Sequence, residues 1–149
     1  LKNGKIKSMN RIQDIPLFSH LCQESIEKLK NISTVRSYNA KEILFYEGDS
    51  PQYLHVLLGG ILRLYKTNHK GNQVNLHQFY PVNLVAELAN FEAIPYPATA
   101  EFVTRGEVMK IEYKSLEEDF LVGKVLFYKN YQVMEKFFYM QVELLSKKN

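Results

Sequence analysis

Glu87 is the lone acid in an apolar run, LVAELANF, followed by a Pro-x-Pro turn at Pro95 and Pro97 and by Thr99 and Ala100 leading back into alternating sequence. A short helical turn with a polar residue facing inward, held between strands, is a natural place for a small ligand. The segment Tyr80 to Phe102 frames it. Four histidines, His20, His55, His69 and His77, are widely separated and form no H-x-H pair. Metal-dependent β-roll enzymes need two or three convergent histidines plus a carboxylate, so metal chemistry is not expected. Ser33, Ser37 and Ser50 have no base-bearing motif around them, and Cys22 is expected to be structural on a packing helix. Cys22 is also the only cysteine. That excludes an intrachain disulfide framework, a four-cysteine metal site and a cysteine-ligated iron–sulfur cluster within one chain. No catalytic residue is assigned, and an enzyme is not expected.

A chain of 149 residues can bury one sizeable core. Nineteen Lys plus Arg against sixteen Asp plus Glu leave a formal charge of +3, too mild to argue nucleic-acid binding by itself. There is no apolar run long enough to span a membrane, and the N-terminus LKNGKIKSMNR lacks a signal-peptide core. The expectation is a cytoplasmic protein without a membrane partner.

Residues 1–14 are expected to be a flexible N-terminus. IPLFSHLCQESIEKLKNIS then reads as a small helical unit, with Leu17, Phe18, Leu21, Ile26, Leu29 and Ile32 at spacings near three and four, its second helix running from about Gln23 to Asn31. From Ser33 the period changes to two. STVRSY, ILFY, YLHVLL and ILRLYKTN, NQVNLHQFY, TAEFV and GEVMKIEY read as strands. Turns are expected at Asn39 to Glu42, at Glu47-Gly48-Asp49, at Gly59-Gly60, at Gly71 and at Arg105-Gly106. Seven or eight short strands indicate a sandwich or small barrel.

After Tyr113 the pattern is helical, a short helix and then a long one within residues 114–149. Leu126, Asn130, Val133, Phe137, Met140 and Leu144 recur at alternating spacings of four and three, a coiled-coil-like seam. About 25 helical residues span roughly 38 Å. Phe127, Tyr128, Tyr131, Phe137, Phe138 and Tyr139 add more aromatics than one seam needs. Two apolar faces follow, one against the strands and one against a second copy of the chain, with Asn130 available to fix register.

Taken in order, IPLFSHL (15–21), ILFYEGD (43–49), YLHVLLGGILRLYK (53–66), the turn at Gly71, VAELANF (85–91) and EVMKIEY (107–113) resemble the effector-binding domain of the catabolite-activator and fumarate-nitrate regulator (Crp/Fnr) superfamily. The resemblance implies a mainly β cyclic-nucleotide-binding-type double-stranded β-helix, a jelly roll over residues 15–113, followed by a long C-terminal dimerisation helix. It also implies a homodimer, and a winged helix-turn-helix beyond Asn149 that reads promoter DNA. The ligand cassette then falls on Val85, Ala86, Glu87, Leu88, Tyr96, Pro97, Ala98 and Thr99.

Cyclic-nucleotide binders resemble one another in a Gly-Glu-Leu element, whose Glu takes the ribose hydroxyl, and an Arg-Ser or Arg-Thr pair that holds the cyclic phosphate. Here Glu87 matches the Glu, Ala86 replaces the glycine, and Tyr96-Pro97 or Pro97-Ala98 replaces the Arg-Ser pair. Neither alignment supplies a cation, and proline has no N–H to donate. Each missing contact costs on the order of 2 kcal/mol, so cyclic AMP and cyclic GMP are not the expected effectors. Glu87 has a second reading, as an acceptor that caps the short helix. Arg36, Lys41, Arg63 and Lys66 read as surface positions, and Arg105 lies at a hairpin turn facing solvent.

The same fold holds haem in some members, and there His77, just before the cassette, is the candidate axial ligand. The cysteine cluster of the oxygen-sensing branch is missing. The expectation is the sensory and dimerisation half of a transcription regulator with a small-molecule effector. A stand-alone regulatory domain and a haem-based gas or nitrosative sensor are the alternatives.

Overall fold

The computed structural model describes residues 12–15, 18, 19 and 21–119. Among the described residues the fold is built on eight strands: β1 (Ser33–Tyr38), β2 (Ile43–Phe45), β3 (Tyr53–Gly59), β4 (Leu62–Thr67), β5 (Gln73–Phe79), β6 (Asn83–Val85), β7 (Thr99–Phe102) and β8 (Gly106–Glu112). A 3-10 turn at Ile12–Asp14 and helix α1 (Gln23–Asn31) precede them, helix α2 (Glu87–Phe91) lies between β6 and β7, and helix α3 (Tyr113–Asp119) follows β8.

The strands form two four-stranded antiparallel sheets, ordered β1-β8-β3-β6 and β2-β7-β4-β5. This is the jelly-roll arrangement expected from the resemblance. Strands distant in sequence become neighbours, with Ser33 opposite Ile111 and Tyr38 opposite Gly106.

Two clusters of buried side chains hold the layers together. On the outer face of the first sheet, Leu54, Val56, Met109 and Ile111 pack with Ile26 and Leu29 of α1 and with Ile12, Ile15, Phe18 and Leu116. Between the sheets, Tyr38, Leu57, Val85 and Val108 meet Phe45, Leu62, Leu64, Ala100 and Phe102. β3 is therefore covered on both faces, and its near-continuous apolar run replaces the alternation of a half-exposed strand. α1 keeps the bounds that its periodicity predicts. After Ile32 the chain turns into β1, and the Ser33 hydroxyl donates back to the Leu29 carbonyl.

At Gly60, φ is +83°, and a Cβ there would stand 2.5 Å from the Arg105 carbonyl oxygen and 2.6 Å from Gly106 Cα. The β3–β4 turn and the β7–β8 hairpin thus close on one another through backbone, which only glycine allows.

Cys22 is not inside a packing helix as expected; it is the exposed residue immediately before α1. The proposed dimer seam (Leu126, Asn130, Val133, Phe137, Met140 and Leu144), the six aromatics of that stretch, and Leu17 and His20 lie outside the described residues.

Candidate ligand-binding site

The cassette is assembled where β6 runs into α2 and where the chain returns through Tyr96 into β7. Val85 ends β6 fully buried. Ala86 then takes a left-handed conformation, φ 54° and ψ 36°, and turns the chain into α2. Glycine adopts that conformation at less cost, which accounts for the family's glycine at this step.

Val85, Ala86, Tyr96 and Ala98 join the cluster between the sheets, and Leu88 is buried as well. Pro97 is half-buried. Thr99, buried at the start of β7, accepts a hydrogen bond from the Glu47 backbone N–H at 3.0 Å. Its hydroxyl ties β7 to the turn after β2.

Glu87 is the first residue of α2 and only 7% exposed. Burial pushes its carboxyl above the ordinary carboxylate range, and its own backbone N–H pulls the other way. No side chain caps α2, so the capping reading of Glu87 reduces to that one local contact. A buried acid that is easily protonated is an acceptor as an anion and a donor when neutral, and both suit a polar ligand group.

Tyr96, which one of the two alignments puts at the position of the phosphate-holding cation, has its side chain turned into the core. Its ring stacks on Phe45 at a centroid distance of 3.7 Å, and its hydroxyl lies 3.4 Å from the Tyr53 carbonyl oxygen. The Asn90 side chain lies beside that hydroxyl, while burial pushes the phenol strongly upward. The backbone of Tyr96 is also committed: its carbonyl accepts from Gly48 N at 2.8 Å and its N–H donates to Asp49 O at 3.0 Å. On β4, Arg63 is engaged by other partners, giving Nε to Glu101, Nη1 to Asn75 and Nη2 to Gln73, each at 2.7 Å. Arg105 is exposed, as expected of its turn.

Of the histidines, His77 pairs with Leu64 across β4 and β5, half-buried, its ring edge-on to Phe79 at 4.5 Å. Burial lowers its pKa, favouring the neutral imidazole. His69 is exposed in the turn before Gly71. Sequence reasoning does not single out Asn90, and it places His55 only among the histidines that could ligate haem, behind His77. His55 and Asn90 are both 4% exposed, and His55 Nδ1, Asn90 Nδ2 and Asn90 Oδ1 have no hydrogen-bond partner. Asn90 was signalled only by lying three residues after Glu87 on α2, which places the two on neighbouring positions of one helical face. Among the described residues, no group of three or more His, Cys, Asp or Glu could hold a metal ion, and no helix is long and apolar enough to cross a membrane.

Residues 35–123 match the family model described as "Cyclic nucleotide-binding domain". Similar solved structures include the sensor domain of the transcriptional regulator DNR from Pseudomonas aeruginosa, with a TM-score of 0.80 and 18% identity over 93% of each chain. A proposed cAMP-binding regulatory protein from Silicibacter pomeroyi has a TM-score of 0.74 and 23% identity, covering 93% of this chain and 65% of that one. The catabolite activator protein of Thermus thermophilus has a TM-score of 0.71 and 22% identity, covering 88% of this chain and 63% of that one. The chain thus spans less than two thirds of these last two proteins. At such identities the likeness is one of fold. No curated protein matches the chain at a significant level.

Proposed function

We propose that this chain, which belongs to the cyclic nucleotide-binding domain family, is the sensory domain of a Crp/Fnr-type transcriptional regulator whose effector is not a cyclic nucleotide. Support for the regulator comes from structural neighbours such as the DNR sensor domain, which is matched along 93% of its length. The observation that carries the effector reading is Tyr96, buried against Phe45 where a cyclic phosphate would need a cation. A phosphate shut into the interior without charge-assisted donors loses much of its binding free energy.

The signal would enter at Val85 to Leu88 and Tyr96 to Thr99 and change how the roll packs on the residues that follow Tyr113. Paired copies, joined through Leu126, Asn130, Val133, Phe137, Met140 and Leu144, would then reposition DNA-reading domains attached beyond residue 149. Mass spectrometry of small molecules retained by protein from its native source tests the effector. A retained compound other than cyclic AMP or cyclic GMP is expected, and stoichiometric cyclic nucleotide would contradict it.

A haem sensor is the second reading, favoured by the neutral, inward-lying His77 beside the apolar Leu64 and Phe79. These residues fit one axial nitrogen and part of an apolar wall for the macrocycle. Haem would supply a gas-binding iron, with His77 orienting it. A Soret band that disappears in His77→Ala would support it, and colourless protein from haem-replete cells would remove it.

A further inference from the structure

Among the described residues, the buried side-chain polar atoms without a hydrogen-bond partner are His55 Nδ1, Asn90 Nδ2 and Asn90 Oδ1. Both residues border one phenol. The Tyr96 hydroxyl lies 3.4 Å from the Tyr53 carbonyl oxygen, long for an O–H donor. The Asn90 side chain lies beside that hydroxyl, yet neither half of its amide completes a hydrogen bond. His55 stands two residues beyond Tyr53 on β3, its ring centroid 6.5 Å from that of Tyr96 and 5.7 Å from that of Phe45.

The topology accounts for this meeting. His55 is opposite Val85, the last residue of β6, and helix α2, which carries Asn90, begins two residues later and packs against β3. Val85 and Leu57 belong to the cluster between the sheets, so His55, two residues before Leu57, faces the same interior. Asn90 is three residues beyond Glu87, on a neighbouring position of the same helical face.

An apolar side chain at position 90 would leave nothing unpaired, whereas a buried amide with neither half paired bears the desolvation of a donor and an acceptor at once. A planar group with an acceptor and a donor side by side relieves both. Carboxamides and lactams carry that pair; a carboxylate offers acceptors alone and an amidinium donors alone. Charges of both signs flank the site, so no single-sign field selects an ion: Lys110, opposite His55, has Nζ 4.8 Å from the Tyr53 ring centroid, while Asp49 acts on Tyr96 and Glu87 lies on α2.

We propose that Asn90 and His55 are specificity-determining residues of the cassette, and that the effector presents to them an uncharged group of the carboxamide or lactam class. This rests on the reading of the cassette as the effector site. Asn90 pairs with both halves of the group in one plane, and His55 Nδ1 supplies one further donor or acceptor according to its tautomer. Neither residue lies in the Gly-Glu-Leu or Arg-Ser elements by which cyclic-nucleotide binders resemble one another.

The test is titration of the 149-residue chain with acetamide, acetate and acetamidinium at pH 7 and constant ionic strength, followed by 1H–15N NMR and thermal unfolding. The three probes share one shape and differ in charge. Saturable shifts at the Asn90 side-chain amide and at His55 and Tyr96 are expected from acetamide, with affinity about tenfold or more above that of either ion. Asn90→Leu, close in volume and without polar atoms, should lose the acetamide response while its ligand-free Tm is unchanged or higher. His55→Phe should weaken acetamide in the same direction. Preference for acetate or acetamidinium, no saturable response to acetamide, or a response that survives Asn90→Leu would overturn the assignment. So would a lower Tm in Asn90→Leu with acetamide affinity kept, because the amide would then be paired within the protein. Cyclic AMP titrated in parallel reports on the underlying reading by itself: its tight binding would remove that reading yet leave an Asn90-dependent acetamide response standing, whereas an absent acetamide response removes only the roles of Asn90 and His55.

Discussion

At the scale of single residues, the interior holds two titratable groups that oppose one another in their effect on stability. His55 is held neutral by burial, with Lys110 adding to the effect, and its pKa falls from 6.5 to about 3. The unfolded chain therefore binds a proton in that window that the folded chain refuses, and stability falls as pH drops from about 6.5 toward 3. The loss amounts to on the order of 4 kcal/mol. His55→Phe should flatten this slope in denaturant titrations across that range; an unchanged slope would show that His55 is solvated. Glu87 behaves in the opposite sense. Its folded pKa is raised above 4.5, so the stability it contributes is complete below that value and is lost as pH rises through the folded pKa. Glu87→Gln should thus be more stable than the parent at pH 7 and indistinguishable from it at pH 4. A variant less stable at pH 7 would mean that the ionised carboxylate is bound by donors in the folded protein.

At the scale of elements, alternation made β1 and β5 legible, whereas β8, like β3, packs on both faces, with Val108 between the sheets and Met109 and Ile111 against α1. The helical period made α1 legible. The pairing order was beyond the pattern itself, since Ser33 meets Ile111 through a ladder that no local spacing encodes, and only the resemblance supplied it. The candidate site divides in the same way. Glu87 stood out as an acid in an apolar run, and the missing cation could be read from Tyr96-Pro97. That Tyr96 stacks on Phe45 could not, because the Pro95–Pro97 stretch has no period to say which way a side chain turns. His55 and Asn90 were hidden because a polar residue in a strand or short helix is equally compatible with an exposed position. Gly60 was legible as a turn, and its closeness to the β7–β8 hairpin makes a prediction. Gly60→Ala should lose about 2 kcal/mol or more by chemical denaturation, from the left-handed backbone and the clash with Arg105. A loss below about 0.5 kcal/mol would mean that the turn relaxes freely.

At the scale of the whole molecule, a cyclic nucleotide-binding fold carries a cassette with an acid at Glu87 and no cation at Tyr96-Pro97 or Pro97-Ala98. The proposed seam from Leu126 to Leu144 predicts a dimer in sedimentation experiments on the 149-residue chain, and a monomer at high concentration would remove that part of the mechanism. The most direct test of the cassette is calorimetric titration of the chain with cyclic AMP and cyclic GMP. Losing two phosphate contacts of about 2 kcal/mol each weakens binding by roughly a thousandfold, so no saturable heat is predicted at micromolar nucleotide. Micromolar binding of either nucleotide would contradict the account, because it would require a phosphate-holding group that Tyr96 and Pro97 do not provide.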